Sequence, residues 1–531
     1  MPTTPSLTEA VQLHQQGHVE QAQQIYLSVL QSDPNNFDAK HLLGVTYLQT
    51  AQYPLALENI QAALQINPNS AAAHSNLGRV QHETKLYEEA LKSYDQAIAL
   101  KKDFAEAHYN KGNALRELKR MAEASEAYQQ AIAYKSDYAA AYQNLGVVAH
   151  ELRDYETAVA YYDKTIAIQS THAQAHSNRG VALKAQHHIA AALKSFDLSI
   201  AIDPQYAQAY WNKAVTLLLD GQYEKGWQLF EWGWPAKQRG PQRHTELPLW
   251  TGIYPLKGKT ILLHAEQGYG DVIQFCRYVK LIHDLGATVW LEVPSSLVEL
   301  MQTLEGVHAV IATGQAVPEV DFHCPLMSLP KALKTTLANI PNPSAYLKAD
   351  PAKSAQWQSK LAGFKKPKVG LVWSSGVRPH QPEVAMANAE RNVPLESMAA
   401  HLQHDNIDFF SLQKGDPAES ELQERAQQLW PKGNLHNYTA ELHNFSDTAA
   451  LIAQLDLVIS VDTSTAHLAA AMGKPVWILV KADGCWRWLI DIEHSPWYPS
   501  ARIHRQGADR NWQPVLERVS QALQNLPAHD A

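Results

Sequence analysis

The residues best suited to chemistry lie in two short stretches. Asp462-Thr463-Ser464-Thr465 follows the apolar run 457–461 and precedes the small-residue run 466–471. This pattern predicts a buried parallel strand, a tight turn, and a helix whose first amides meet hydroxyl and carboxylate caps. Free amides at a helix start, with the positive end of the helix dipole, hold a phosphate. An ordinary capped helix of an α/β domain is the alternative. The second stretch is His264-Ala-Glu-Gln267-Gly-Tyr-Gly-Asp271-Val-Ile-Gln274. Gly268 and Gly270 allow a tight turn there, and Asp271 falls at a helix start. In a cleft, that carboxylate would take a proton from an acceptor hydroxyl as a general base. A plain N-cap aspartate is one alternative. A dinucleotide fingerprint is the other, but Ile273 stands where its third glycine belongs, so NAD is not expected.

Further candidates follow from position after strands. Ser374 and the Gly376 amide end the run 368–375, and Arg391 lies in the loop beyond. A hydroxyl, an amide and a guanidinium at such positions suit a leaving diphosphate. Gln267 and Gln274 are candidate substrate contacts. Trp486, Arg487 and Trp488 suit either a nucleobase or sugar pocket or core packing. His14 and His18 share a helical face, but no third ligand accompanies them, so no metal site is expected.

Placing these groups requires two kinds of element. From 257 onward, short apolar runs alternate with helical segments: 259–267, 287–293, 308–313 and 320–326, then 368–375, 407–413, 455–461, 475–480 and 501–506, with 272–285 as the first crossover helix. Two doubly wound lobes in tandem are predicted, 241–350 and 351–531. Before them the chain repeats: 6–39, 40–73, 74–107, 108–141, 142–175 and 176–209 align without gaps at a period of 34 residues, and a seventh, degenerate copy decays near Gly240. Small residues recur (Gly44, Gly78, Gly112, Gly146, Gly180, Ala214; Ala39 through Ala209), as do aromatics just before the second helix of a unit (Tyr53, Tyr87, Tyr155, Tyr223). One repeat position carries Asn76, Asn110, Asn144, Asn178 and Asn212. Side-chain amides in such a ladder can pair with both N–H and C=O of an extended peptide. The Trp-rich stretch 227–256 is expected to be packing core between repeats and lobes.

Composition narrows the partners. A net charge of −8 without long Lys/Arg runs argues against nucleic acid or an anionic membrane. Cys276, Cys324 and Cys485 make neither a disulfide framework nor a metal set. The amino end lacks a leader pattern and no apolar run reaches membrane-spanning length, so a cytoplasmic protein with no membrane insertion is expected.

On period, small positions and aromatics, residues 6–240 resemble the tetratricopeptide repeat, which implies helix pairs in a right-handed superhelix with a concave groove. Gly270-Asp271-Val272 together with Asp462-Thr463-Ser464-Thr465-Ala466-His467 resembles the bacterial heptosyltransferases, which use ADP-heptose. The resemblance implies Asp271 as base and a phosphate cradle at 462–467, with Ser464 in place of that family's glycine. The layout is similar to O-linked N-acetylglucosamine transferases, and Ser411-Leu-Gln-Lys414-Gly-Asp-Pro resembles their Gln-x-x-Lys-x-Asp-Pro segment, which implies that Lys414 reaches the donor diphosphate. It is also similar in arrangement to tetratricopeptide-bearing bacterial flagellin glycosyltransferases. The fold expected is therefore α + α/β, a tetratricopeptide superhelix followed by a GT-B double Rossmann-like unit. The activity expected is inverting, metal-independent transfer of a sugar from a nucleotide-sugar to Ser or Thr of a protein held in the repeat groove, with no cofactor beyond that co-substrate. A heptosyltransferase-like enzyme on a glycan acceptor, docked by its repeats, and a non-catalytic scaffold with a sugar-nucleotide sensor are the alternatives.

Overall fold

The computed structural model describes residues 6–376 and 390–526. The chain divides into two compact units, Met1–Tyr206 and Ala207–Ala531. The last repeat-like helix pair, Ala207–Leu219 and Tyr223–Phe230, therefore counts with the second unit rather than with the repeats before it.

The first unit is a run of helix pairs, from Leu7–Gln15 and Val19–Ser32 to Ala173–Ala185 and Ile189–Ile202. The recurring glycines explain how each pair closes. A Cβ on Gly78, Gly112, Gly146 or Gly180 would lie 2.5–2.6 Å from the ring of Tyr94, Tyr128, Tyr162 or Phe196, the buried aromatic of the same unit's second helix. The ring fits only because the side chain opposite is absent. Tyr53, Tyr87 and Tyr155, expected just before the second helices, are instead their first residues. Gly146→Val should therefore destabilise the repeats by about 1–3 kcal/mol through overpacking, measured as a lower urea midpoint with unchanged m-value.

In the second unit a four-stranded parallel sheet has the order β3-β2-β1-β4, with β1 Thr260–His264, β2 Thr288–Val293, β3 Ala309–Ala312 and β4 Phe322–Pro325. A six-stranded parallel sheet has the order β10-β9-β8-β5-β6-β7: β5 Lys368–Val372, β6 Asp408–Ser411, β7 Leu435–Asn437, β8 Leu457–Val461, β9 Val476–Val480 and β10 Ala501–Arg505. Strands β6 and β8 are buried along their whole length, as in a sheet covered on both faces. In each sheet the strand order reverses beside the first strand, between β1 and β4 and between β5 and β8. Ligands of open α/β sheets bind at the carboxyl ends of such strands.

Two local expectations change. The crossover after β1 is not one helix over 272–285 but Tyr269–Phe275, a 3-10 turn Cys276–Tyr278 and Val279–Asp284, because Arg277 turns inward to bond carbonyls from distant segments. Strand β7 is three residues on a sheet edge, too short to carry a periodic signal. Within the second unit Trp227 and Trp250 are buried while Trp232 and Trp234 are half-buried, and Trp227 meets Trp486 edge to face with ring centroids 5.2 Å apart. Tyr223 accepts a hydrogen bond from Trp497 at 2.8 Å, which ties the last helix pair to the loop after β9.

Candidate active site

At the switch point of the larger sheet, Thr463 precedes the helix Ser464–Ala471 in an extended conformation, and Asp462, Thr463 and Ser464 are half-buried; the expected side-chain cap is not formed, because the Thr463 hydroxyl pairs with Ser460 Oγ at 2.9 Å. The helix ends at Gly473, whose φ of +73° favours glycine; a Cβ there would also lie 2.5 Å from the Ser344 carbonyl oxygen. The lobe-connecting segment passes beside this end, where the amides of Tyr346 and Leu347 donate to the Ala471 carbonyl. Arg391 Nη1 donates to the carbonyl of Asp462 at 3.2 Å. A cavity of about 160 Å³ lies beside this pair, lined also by Val480, Lys481, Asp483, Gly484 and Cys485. Lys481 pairs with Glu390 at 2.9 Å, and Arg510 with Asp483 at 3.4 Å.

The helix that carries Asp271 packs against this helix start. A Cβ on Gly270 would stand 2.9 Å from His467 Cδ2 and 3.6 Å from Ser464 Cα. Glycine thus lets the two helix starts meet. Asp271 Oδ2 accepts the Gly268 amide at 3.0 Å, so the carboxylate caps its own helix. Its Oδ1 is ion-paired with Arg487, whose Nε donates to Gln274 Oε1 at 2.5 Å. The Asp271 side chain keeps 21% of its surface exposed.

The remaining expected residues separate. His467 turns inward: Nδ1 lies 2.8 Å from the Tyr498 hydroxyl, and the ring stacks on Trp488. Burial lowers its pKa to about 3, so it is a neutral packing group that supports the turn from beneath. The reason is that the helix is buried on every side from 465 to 471, which leaves His467 no solvent-facing position. Ser374 is buried and held through its backbone by Gln413, which accepts from the Ser374 amide at 2.9 Å and donates to its carbonyl at 3.0 Å. Gly376 is exposed at the edge of the described segment. Lys414, expected on the diphosphate, bonds Glu419 at 3.2 Å and the Thr439 carbonyl at 3.0 Å on the β6–β7 side. Gln267 Nε2 donates to the Gln238 carbonyl at 3.2 Å.

Four of the five ladder asparagines, all of them half-buried, have partners inside the chain. Asn76 Nδ2 lies 3.0 Å from His41 Nε2. Asn144 donates to Asn113 at 2.8 Å and to the Tyr128 hydroxyl at 3.4 Å, and Asn178 bonds the Tyr162 hydroxyl. The Asn110 amide nitrogen is buried without a hydrogen-bond partner among the described residues. In the second unit, Asn212 Oδ1 accepts from Gln208 at 2.9 Å.

Sequence reasoning missed the supports of the Asp271 loop. Arg239, wholly buried, pairs with Glu266 and with Glu231, donates to Ser328 at 3.0 Å and lies 4.0 Å from the Trp234 ring. Burial raises the Glu266 pKa to about 7 against the opposing pull of Arg239. Arg243 donates to the Ala265 carbonyl at 3.1 Å and pairs with Glu292, which also meets His244 at 2.7 Å. The sequence signal for the pocket loop 481–487 was its place directly after β9, at the carboxyl edge of a parallel sheet. Among the described residues no helix is long and apolar enough to cross a membrane, and no group of three or more His, Cys, Asp or Glu is placed to hold a metal ion.

Residues 397–480, which include β6 through β9 and the 462–467 turn, match the model of glycosyltransferase family 9 (heptosyltransferase). Residues 7–71, 86–118, 112–152 and 139–172 match tetratricopeptide repeat models. Protein FlbA of Caulobacter vibrioides is 30% identical over 339 residues, which are 59% of this chain and 54% of FlbA. The chain thus spans about half the length of the curated relative it matches. Among solved structures, MamA is 27% identical over 31% of this chain and 96% of its own, with a TM-score of 0.29. PilF of Pseudomonas aeruginosa is 23% identical over 36% of this chain and 88% of its own, with a TM-score of 0.34.

Proposed function

From a chain that joins tetratricopeptide repeats to a glycosyltransferase family 9 region, we propose an inverting, metal-independent protein O-glycosyltransferase. The single observation that carries this reading is the meeting of two helix starts: the turn 462–464, at a switch point, lies against the helix bearing Asp271, with Gly270 at the contact. A nucleotide-sugar would rest its diphosphate on the 463–465 amides with Arg391 beside it. Asp271 would take the proton of a Ser or Thr hydroxyl while that oxygen attacks the anomeric carbon, and the nucleoside diphosphate would leave with the bonding electrons. The protein acceptor would be recruited by the repeats, its backbone exchanging with the partners the asparagine amides now hold. The chemistry is placed in the cytoplasm.

The test is product mass after incubating the full chain with ADP-, UDP-, GDP- and CMP-sugars and either flagellin-like proteins or glycans. Transfer to protein alone supports the reading. Transfer to glycans alone would replace it with a heptosyltransferase-like enzyme docked by its repeats, which the family 9 match favours. Transfer to neither would leave a sugar-nucleotide sensor. Asn144→Ala with Asn178→Ala should raise the KM for a protein acceptor about tenfold and leave donor hydrolysis unchanged; an equal KM rejects the ladder's role.

A further inference from the structure

The contact that the reading above does not use is the one between Arg487 and the candidate base. Arg487 sits in the turn Trp486–Trp488 that closes the loop after β9. Its guanidinium is spread over two sites. Nη2 holds Asp271 and Nε holds Gln274, both on the helix Tyr269–Phe275, while Nη1 lies 3.0 Å from Cys485 Sγ. Cys485 lines the cavity beside Arg391 and Asp462, so the same cation lies directly behind that wall, in contact with Cys485 on one side and with the base on the other. Asp462 also favours its charge, less strongly than Asp271 does. The other basic groups that line this cavity are engaged on their own lobe: Lys481 by Glu390 and Asp483, Arg391 by the Asp462 carbonyl.

Asp271 is therefore doubly occupied, one oxygen by the Gly268 amide and the other by Arg487. A general base needs an oxygen within hydrogen-bond reach of the hydroxyl it deprotonates, and both oxygens of Asp271 are already engaged. We propose that Arg487 is shared between Asp271 and the diphosphate of a nucleotide-sugar, holding the base while the site is empty and releasing it when the donor's two phosphates draw the guanidinium across the Cys485 wall. The inference rests on the glycosyltransferase reading and deepens it, because it makes donor binding the step that frees the base and so orders donor before acceptor. A carboxylate and a diphosphate competing for one cation also have a reciprocal consequence: removing the carboxylate must strengthen binding of the diphosphate.

Calorimetric titration of the full chain with ADP, UDP and GDP tests this. Whichever diphosphate binds the wild type should bind Asp271→Asn, and Asp271→Ser as a second variant, about tenfold tighter. Arg487→Ala should bind it about tenfold more weakly, and Asp271→Asn combined with Arg487→Ala should match Arg487→Ala alone, because the competition is gone. Affinities of both Asp271 variants within about twofold of wild type overturn the shared cation while leaving the glycosyltransferase reading intact. A wild type that binds none of the three overturns the shared cation, and the glycosyltransferase reading falls with it only if no transfer occurs from a CMP-sugar either. Tightening without any transfer keeps the shared cation and removes the enzyme.

Discussion

Asp271→Asn should lower sugar transfer by about a thousandfold, within the range that a positioned general base supplies, and should leave the fold unchanged. The asparagine oxygen can still accept the Gly268 amide that Asp271 Oδ2 now accepts at 3.0 Å, so the helix start keeps its cap. What disappears is a carboxylate that can hold the hydroxyl's proton. The measurement is product mass at saturating donor, with a thermal melt of the same preparation to separate chemistry from folding. Turnover within about fivefold of wild type would take the base role away from Asp271.

Arg277→Ala should produce the largest loss of stability, about 3–5 kcal/mol, because it strips partners from several buried oxygens together. Arg277 is almost fully buried, donating to the carbonyls of Gln274 at 2.7 Å, Pro341 at 3.1 Å and Trp497 at 2.6 Å, and to the Tyr346 hydroxyl at 2.9 Å. The rings of Tyr346 and Tyr498 lie 4.8 and 4.5 Å from its guanidinium carbon. No aliphatic side chain replaces that set, and the single ammonium of Arg277→Lys cannot span three carbonyls from separate segments. Since those segments are the Asp271 helix, the lobe-connecting stretch and the loop carrying Trp497, the variant should lose donor binding and transfer together. Chemical denaturation of the second unit within the full chain measures the loss; a change below about 1 kcal/mol would mean that water replaces the guanidinium without penalty.

Much of the architecture was legible in order along the chain. Nine apolar runs at 259–506 became nine strands, because a strand buried on both faces must be apolar nearly throughout. The period of 34 exposed the helix pairs, and the reason for its glycines needed only the aromatic partner each one seats. The turn at 462–464 and the helix stop at Gly473 were likewise local, although the Thr463 hydroxyl turns back to Ser460 instead of capping a helix amide. Strand β7 was missed because three edge residues have no period, and the break at Cys276–Tyr278 because its cause is bonding to Pro341 and Trp497.

The site divides the same way. Sequence by itself determined that a carboxylate and a phosphate-suited turn each open a helix after a parallel strand, since strand, turn and cap are decided by neighbours a few residues apart. Only the tertiary structure decided that the two helix starts touch through Gly270, that His467 faces the core, that Lys414 bonds Glu419, and that Arg487, 216 residues from Asp271, holds it. Those outcomes depend on how two separately wound sheets set their carboxyl edges against each other, a geometry fixed by packing between distant segments and carried by no spacing along the chain.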